Sequence, residues 1–407
     1  MRESRLSSSD RRKSALILVQ NLPVPFDRRV WQEATTLVNN GWAVSVICPS
    51  NKTYPEGYFE IGGISVYRFK AVSEARGPLG YLIEYGQSLS RMRKLVKKVL
   101  SLGSIDVVQF CNPPDLLALL ARKIKRKNGV KVIFDQHDLG PELVIAKGLP
   151  AAKLFVMVAR FFEKIAYTTA DRVIATNESY QEIALDRGKI PAQHVEVVRS
   201  APSKTWADDA VKSDKWRSGH QFQIGYLGVI GQQEGLHFAL EALEILLKRY
   251  FKDVYFTVVG SGTDLEKMVT YATKLNLENN VKFFGRVPDK DMKDILCSSD
   301  VCINPDVFSQ LNNLSTMNKI IEYMALGVPI VQFDLLEGRR SAEGSSLYAE
   351  PDSPESLAEK LNWLLENKEA CVSMSQLGRS RFAEVLCWEK QEAKLLGVYE
   401  NLILQRP

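Results

Sequence analysis

Cysteine is sparse and scattered in this chain: Cys48, Cys111, Cys297, Cys302, Cys371 and Cys387 form no CxxC pair. That argues against a zinc ribbon, a dithiol redox centre or a disulfide framework, and it makes a reducing cytoplasm the expected home. Histidine is scarcer still, with four in 407 residues. No apolar stretch reaches the ~18–20 uninterrupted residues of a membrane span. The Ser- and Arg-rich beginning, whose first apolar run is only Ala15–Val19, does not read as a signal peptide. Residues 1–13 are expected to form a disordered basic tail. Beyond that tail there are no short repeats and no low-complexity tracts.

What is present is a globular composition, 45% apolar and 25% charged, in a chain long enough for two cores. Candidate strands fall at Ala15–Gln20, Ala43–Cys48, Ile64–Phe69, Asp106–Phe110, Val130–Asp135, Arg172–Thr176 and His194–Val198. The rhythm resumes at Phe222–Leu227, Val254–Val259, Val281–Phe284, Asp300–Ile303 and Val328–Gln332. Runs such as VKVIFD and VYFTVV do not alternate, as expected of strands covered on both faces of a parallel sheet. Strand–helix alternation in both halves predicts α/β architecture, two doubly wound Rossmann-like domains. These are expected over 14–200 and 222–385, with the aperiodic segment 201–221 as linker and a terminal helix over 386–407. Ligands should bind in a crevice facing the carboxyl ends of both sheets.

The net charge of +5 hides an asymmetry. Residues 1–200 hold 30 Lys and Arg against 19 Asp and Glu, whereas the remainder holds 23 against 29. Two clusters dominate the basic half, Arg91–Lys98 and Arg122–Lys127. They suggest an anionic partner, and a membrane surface is favoured because Met92, Leu95, Val96 and Val99 offer an apolar stripe on the first cluster's helix. Nucleic acid is not expected, since no aromatic-interleaved binding motif accompanies the charge. The helix Ala151–Tyr167 is apolar on nearly every side; a buried helix of the first domain is the commoner reading, and dipping into a membrane is the alternative.

The most informative stretch is STMNKIIEYMALGVPIVQ, Ser315–Gln332. It reads as a helix ending at Gly327 and feeding a buried strand. Lys319 and Glu322 share one helical face. Lys319 sits in the first turn, where the helix dipole disfavours a cation, so an anion is expected in the same site. Other features carry weaker signals. FDQHDLGPE places His137 and Asp138 at a strand's carboxyl end, among Asp135 and Glu142. NLPVPFDRRV presents Asp27, Arg28 and Arg29, with Asp27 also a candidate helix cap. CNPPD offers Asn112, and Asp115 as a helix N-cap. Gly225, Gly228 and Gly231 form GxxGxxG, a weak phosphate-loop signal. Asp289 and Asp291 form a DxD, but at a helix start capping is the better reading, and no metal is expected.

KIIEYMALGVPIV resembles the nucleotide-sugar motif of the retaining family 4 glycosyltransferases, which have the GT-B fold of two facing Rossmann-like domains. The resemblance extends over roughly Ala15 to Gln391. The loops PFDRRV and HDLGPE are similar to those of a bacterial subset acting on lipid-linked acceptors. The resemblance implies a nucleotide diphosphate sugar as donor substrate, no separate cofactor, and a lipid-linked or glycan acceptor. It assigns Glu322 to the ribose and Lys319, Asn318, Gly228, Gly231, Gly260 and Arg286 to the donor site. His137, Lys319 and Glu322 become the expected catalytic residues, with Asp27, Arg28, Arg29, Asn112 and Asp138 on the acceptor side. It also implies a terminal helix that packs back on the first domain, and a place at the inner face of the cytoplasmic membrane. The chain departs from the family where charge is usual: Leu314 replaces a second acid, and Val229 and Glu234 stand where many relatives carry Arg and Lys. Two rival readings follow, a non-catalytic GT-B scaffold subunit and, ranked lower, a sugar-nucleotide 2-epimerase.

Overall fold

The computed structural model describes residues 12–72, 77–146, 148 and 152–404. Most of the expected basic tail, residues 1–11, lies outside the described residues. The chain divides into two compact units, Met1–Val198 with Glu392–Pro407, and Arg199–Gln391.

The first unit contains strands β1 (Ser14–Leu18), β2 (Ala43–Pro49), β3 (Gly57–Ile61), β4 (Ile64–Phe69), β5 (Val107–Cys111), β6 (Lys131–Gln136), β7 (Arg172–Ala175) and β8 (Val195–Val197). They form one sheet in the order β3-β4-β2-β1-β5-β6-β7-β8, parallel except for the β3–β4 hairpin. Its helices are α1 (Arg28–Asn39), α2 (Gly77–Leu102), α3 (Leu117–Asn128), α4 (Gly140–Ala146), α5 (Ala152–Thr169) and α6 (Glu178–Asp186). Strands β1, β5 and β7 are wholly buried, and Leu16, Ile17, Phe110 and, on β6, Phe134 are among the fully covered side chains. Two helices on this sheet reverse the sequence expectation. Met92, Val96 and Val99 of α2 are buried against the sheet, so its apolar stripe faces inward, while Arg93, Lys94, Lys97 and Lys98 are exposed. Conversely, α5 exposes apolar side chains that were expected inside.

The second unit contains β9 (Phe222–Leu227), β10 (Val254–Val259), β11 (Val281–Gly285), β12 (Val301–Asn304), β13 (Ile330–Phe333) and β14 (Ser346–Ala349), in the order β11-β10-β9-β12-β13-β14, all parallel. This is the 3-2-1-4-5-6 order of a dinucleotide-binding sheet, which reverses direction between β9 and β12. Its helices are α7 (Leu236–Lys248), α8 (Leu265–Lys274), α9 (Asp289–Cys297), α10 (Gln310–Leu314), α11 (Asn318–Leu326), α12 (Leu336–Ala342), α13 (Pro354–Glu366) and α14 (Lys368–Arg381). Gly327 ends α11 in the left-handed conformation at φ 67°, as its sequence predicts. Residues 201–221 belong to this unit: Trp206 and Trp216 pack on its core beside α9 and α11. The last helix, α15 (Trp388–Leu404), passes into the first unit from Glu392 onward, where Tyr399 meets Trp42 edge-on at 5.2 Å.

Candidate functional site

In the second unit the sheet reverses between β9 and β12, the point outside which ligands bind in such folds. The loops leaving β9, β10 and β12 meet there with backbone against backbone. Gly260 (φ 139°) leaves no room for a Cβ beside the Gly228 carbonyl, and Gly235 (φ 61°) leaves none beside that of Pro305. Only glycine fits both the conformation and the contact.

Lys319, at the second position of α11, is buried among these loops. Its Nζ lies 3.1 Å from Asp306 Oδ1 and 4.9 Å from the centre of the Tyr226 ring. Burial alone would drive the proton off this amine. The Asp306 carboxylate and, after it, Tyr226 and Glu234 more than reverse that, so the ammonium is held above its ordinary pKa. Burial pushes Asp306 up, with Lys319 pulling it back, and Glu234 is raised for the same reason and in the same field. The sequence left the anion beside Lys319 to a ligand; in the folded chain Asp306 supplies it. Asp306 was missed, although N-P-D directly after a strand marks a loop at a carboxyl end.

Glu322 follows one turn later, half-buried. Gly228, Gly231 and Gly260 are half-buried around the same loops, Asn318 is exposed at the start of α11, and Arg286 is exposed beyond Gly285, whose carbonyl accepts from Gly260 N–H at 2.9 Å. Val229 is exposed, so its side chain adds nothing to the charge around Lys319. Glu234 is different: it faces Lys319 closely enough to share its field.

The first unit gathers a second constellation at the ends of β5 and β6. Arg29 on α1 is buried and donates to both oxygens of Asp135, at 2.7 and 3.3 Å, and to the Val198 carbonyl at 2.8 Å. It also pairs with Glu33 at 3.1 Å. Gln109 donates to Glu33 at 2.6 Å and to Asp135 at 3.1 Å, and accepts from the Tyr399 hydroxyl at 2.6 Å. On this base sits His137, with Nε2 2.5 Å from Asp135 Oδ2 and 17% of its side chain exposed. Burial disfavours its charge, but Asp135 outweighs that and raises its pKa. Asp135 itself is held far below the usual carboxylate range: burial opposes ionisation, and Arg29 with His137 overcomes it. Glu33 is pushed up by burial and by the neighbouring Asp135 charge.

Three expected acceptor-side residues are therefore committed to the interior. Asp27 caps α1, accepting from Val30 N–H at 3.1 Å. Arg29 holds Asp135. Asn112 fastens the histidine loop: its Oδ1 accepts from the His137 and Asp138 N–H groups at 2.7 and 3.2 Å, and its Nδ2 donates to the Asp138 carbonyl at 2.7 Å. Arg28 is exposed and Asp138 half-buried, so these two remain reachable. Asp115 does not cap α3, whose N-cap is Leu116; it lies buried, accepting from Asn112 at 2.9 Å, and burial pushes it to about 7. Glu142 takes both Arg187 nitrogens, at 2.6 and 3.1 Å, and Glu163 of α5 joins the same guanidinium at 2.5 Å.

Cys111, Asp135 and His137 lie within 4.8 Å of one another, a spacing a metal ion could use. Their donors are otherwise engaged. Asp135 already carries the full charge of Arg29, which a cation at this point would oppose, and burial raises the Cys111 thiol well above its ordinary pKa.

Comparison with known proteins agrees with this architecture. Residues 27–201 match the model described as glycosyl transferase 4-like domain, and residues 221–367 match that described as glycosyl transferases group 1. An uncharacterized glycosyltransferase of Haemophilus influenzae is 25% identical over 353 residues, spanning 85% of this chain and 88% of that protein. Among solved structures, sucrose-phosphate synthase of Thermosynechococcus elongatus superposes with a TM-score of 0.79 at 15% identity, over 97% of this chain and all of that one. Anabaena HepE, solved with UDP, gives 0.72 at 15% identity over 96% of this chain and all of that one.

Proposed function

Since the chain belongs to the family 4 glycosyltransferases of GT-B fold, we propose that it is a retaining, metal-independent enzyme that moves a sugar from a nucleotide diphosphate sugar to a lipid-linked or polysaccharide acceptor. The observation that carries this reading is the buried Lys319 ammonium at the reversal point of the second sheet. Donor binding by HepE, which has been solved with UDP and with UDP-glucose, supports a nucleotide sugar in the same fold.

The chemistry follows from charge. Breaking the bond between sugar and diphosphate builds negative charge on the leaving oxygen. Lys319 and the first N–H groups of α11 meet that charge where water is scarce. Asp306 keeps the lysine protonated in its buried setting, so the cation is ready before substrate arrives. Glu322 accepts hydrogen bonds from the ribose. Among the described residues no carboxylate pair is set for double displacement, so the acceptor hydroxyl attacks from the face the diphosphate leaves, and the leaving phosphate takes its proton. In the first unit, His137 is held as an imidazolium by Asp135 and donates to hydroxyls of the transferred sugar. Arg28 and Asp138 contact the acceptor, which the basic half of the chain draws from the cytoplasmic face of an anionic membrane.

The test is a transfer assay with donors labelled in the sugar and a membrane lipid extract as acceptor. Label in the organic phase with the donor's anomeric configuration supports the reading. Inverted product would remove the retaining mechanism, epimerised free donor would favour a 2-epimerase, and no turnover with any donor would favour a scaffold subunit.

A further inference from the structure

The sheet of the first unit reverses between β1 and β5, so right-handed crossovers carry α2, α3 and α5 to the same face. There α3 packs against both α2 and α5. The outward side of this helix layer has an uncommon composition. On α5, Leu154, Met157, Val158 and Phe161 follow the i, i+3, i+4, i+7 spacing of one helical stripe and are 53%, 61%, 41% and 60% exposed. Lys153, Arg160 and Lys164 border that stripe and are exposed as well. On the same helix layer the basic clusters of α2 and α3, thirty residues apart in sequence, approach one another, and Lys125 of α3 is paired with Asp171 just beyond the end of α5 at 2.9 Å. Lys123 on α3 is held below its ordinary pKa chiefly by Arg93 of α2, and further by Lys127 and Lys97. Four large apolar side chains on one stripe, bordered by the exposed Lys153, Arg160 and Lys164 of their own helix, are far more than scattered surface residues.

The opposite side of α5 explains why it stays in place while its outer stripe remains uncovered. Tyr167 is buried, packs edge-on to Phe134 of β6 at 5.5 Å and accepts from Gln136 at 2.9 Å. Glu163 is buried and locked to Arg187, which also holds Glu142 on α4. Since α4 begins three residues after His137, the exposed stripe is tied by one arginine to the helix that continues the histidine loop.

We infer that the α5 stripe, Leu154, Met157, Val158 and Phe161, is a membrane-docking wedge that enters the headgroup region of an anionic bilayer, with Lys153, Arg160 and Lys164 of the same helix as its electrostatic border. The inference rests on the reading of a membrane-borne acceptor and adds the element that holds the enzyme there. The occupant is a lipid surface rather than another protein because the apolar stripe is narrow and the exposed charges of its own helix, Lys153, Arg160 and Lys164, are all cationic, the one acid of α5, Glu163, being buried. An amphipathic helix with Lys and Arg beside large apolar residues gains both from burying the stripe and from negative headgroups. No described helix is long and apolar enough to cross a membrane, so the contact is one of lying on the surface.

The experiment is flotation of the full chain with vesicles of phosphatidylglycerol and phosphatidylcholine, and with phosphatidylcholine alone, for wild type and M157Q/F161Q. Both substituted side chains are exposed, so the variant folds; its thermal shift with nucleoside diphosphates, read in the same samples, confirms an intact donor site. Wild type should float with the anionic vesicles, and the variant's partition coefficient should fall at least about tenfold. Equal flotation of the two proteins, or none by wild type, overturns the docking surface even where the nucleotide shift is normal. A nucleotide shift absent from both proteins is instead a failure of the glycosyltransferase reading. Light scattering closes the other route: if wild type is a dimer and M157Q/F161Q a monomer, the stripe is a subunit contact and the inference is wrong.

Discussion

Replacing either member of the Lys319–Asp306 pair separates what the pair does for the fold from what it does for the donor. Both side chains are buried and their charged atoms are 3.1 Å apart. Lys319→Met strands a carboxylate in the interior, and Asp306→Asn strands an ammonium, at about 3–5 kcal/mol in each case. For a unit of this size that is a melting shift of roughly 6–20 °C. The double variant K319M/D306N leaves no unpaired charge, so its loss should be clearly smaller than the sum of the two, a coupling of about 1–3 kcal/mol. Donor binding should split the single variants. Lys319→Met removes a charge-assisted contact worth about 1.5–3 kcal/mol, or roughly 10–150-fold in Kd for the nucleoside diphosphate that binds best. Asp306→Asn keeps the cation and removes the competing carboxylate, so its affinity should hold or rise. Calorimetric titration reads both, with urea melts on the same samples. Unchanged affinity in Lys319→Met would reduce the pair to a structural ion pair and refute the argument.

Arg29→Met should cost the first unit about 3–5 kcal/mol, since Asp135 loses its main counter-charge; a melt unchanged from wild type would contradict the network. Gly260→Ala drives a Cβ into the Gly228 carbonyl, so nucleotide binding should be lost while the first unit's unfolding transition stays put. The pKa of His137 is raised on folding, so its contribution is fully present below the unfolded value of about 6.5 and is lost as pH rises through the higher folded value. His137→Asn should abolish that loss, and a melting profile against pH identical to wild type would count against an imidazolium here. Asp135 behaves oppositely. Its stability is present above about 3.9 and is lost as pH falls through its depressed folded value.

Much of this fold was legible because its signals are local. Gly327 ends α11 through a conformation only glycine takes easily, Asp27 caps α1 from three residues away, and the fully buried strands read as unbroken apolar runs. β3 escaped notice because GYFEI is a half-exposed edge strand, interrupted by no apolar run of its own. β14 is SLYA, covered only at its two ends, whereas the equally short β7 and β13 are buried throughout. The helix faces were harder. On α2 the sequence shows both an apolar stripe and a basic one without saying which meets the sheet, and on α5 an almost all-apolar surface hides how much of it packing covers. The site residues divide in the same way. Lys319, Glu322 and His137 lie in motifs at strand and helix ends, whereas their partners come from afar. Arg29 and Asp135 are 106 residues apart, and Gln109 and Tyr399 are 290 apart. Nothing local announces that Arg29 turns inward while Arg28 stays out.

The measurement that bears most directly on the central claim is a thermal-shift titration of wild type and Glu322→Ala with UDP, GDP, TDP, ADP and CMP. A nucleotide present at about 100 times its Kd stabilises the folded protein by about 2.7 kcal/mol. The account predicts such a shift for one nucleoside diphosphate with wild type and its loss in Glu322→Ala. No shift with any of the five, or an equal shift in both proteins, would contradict a donor site built on α11.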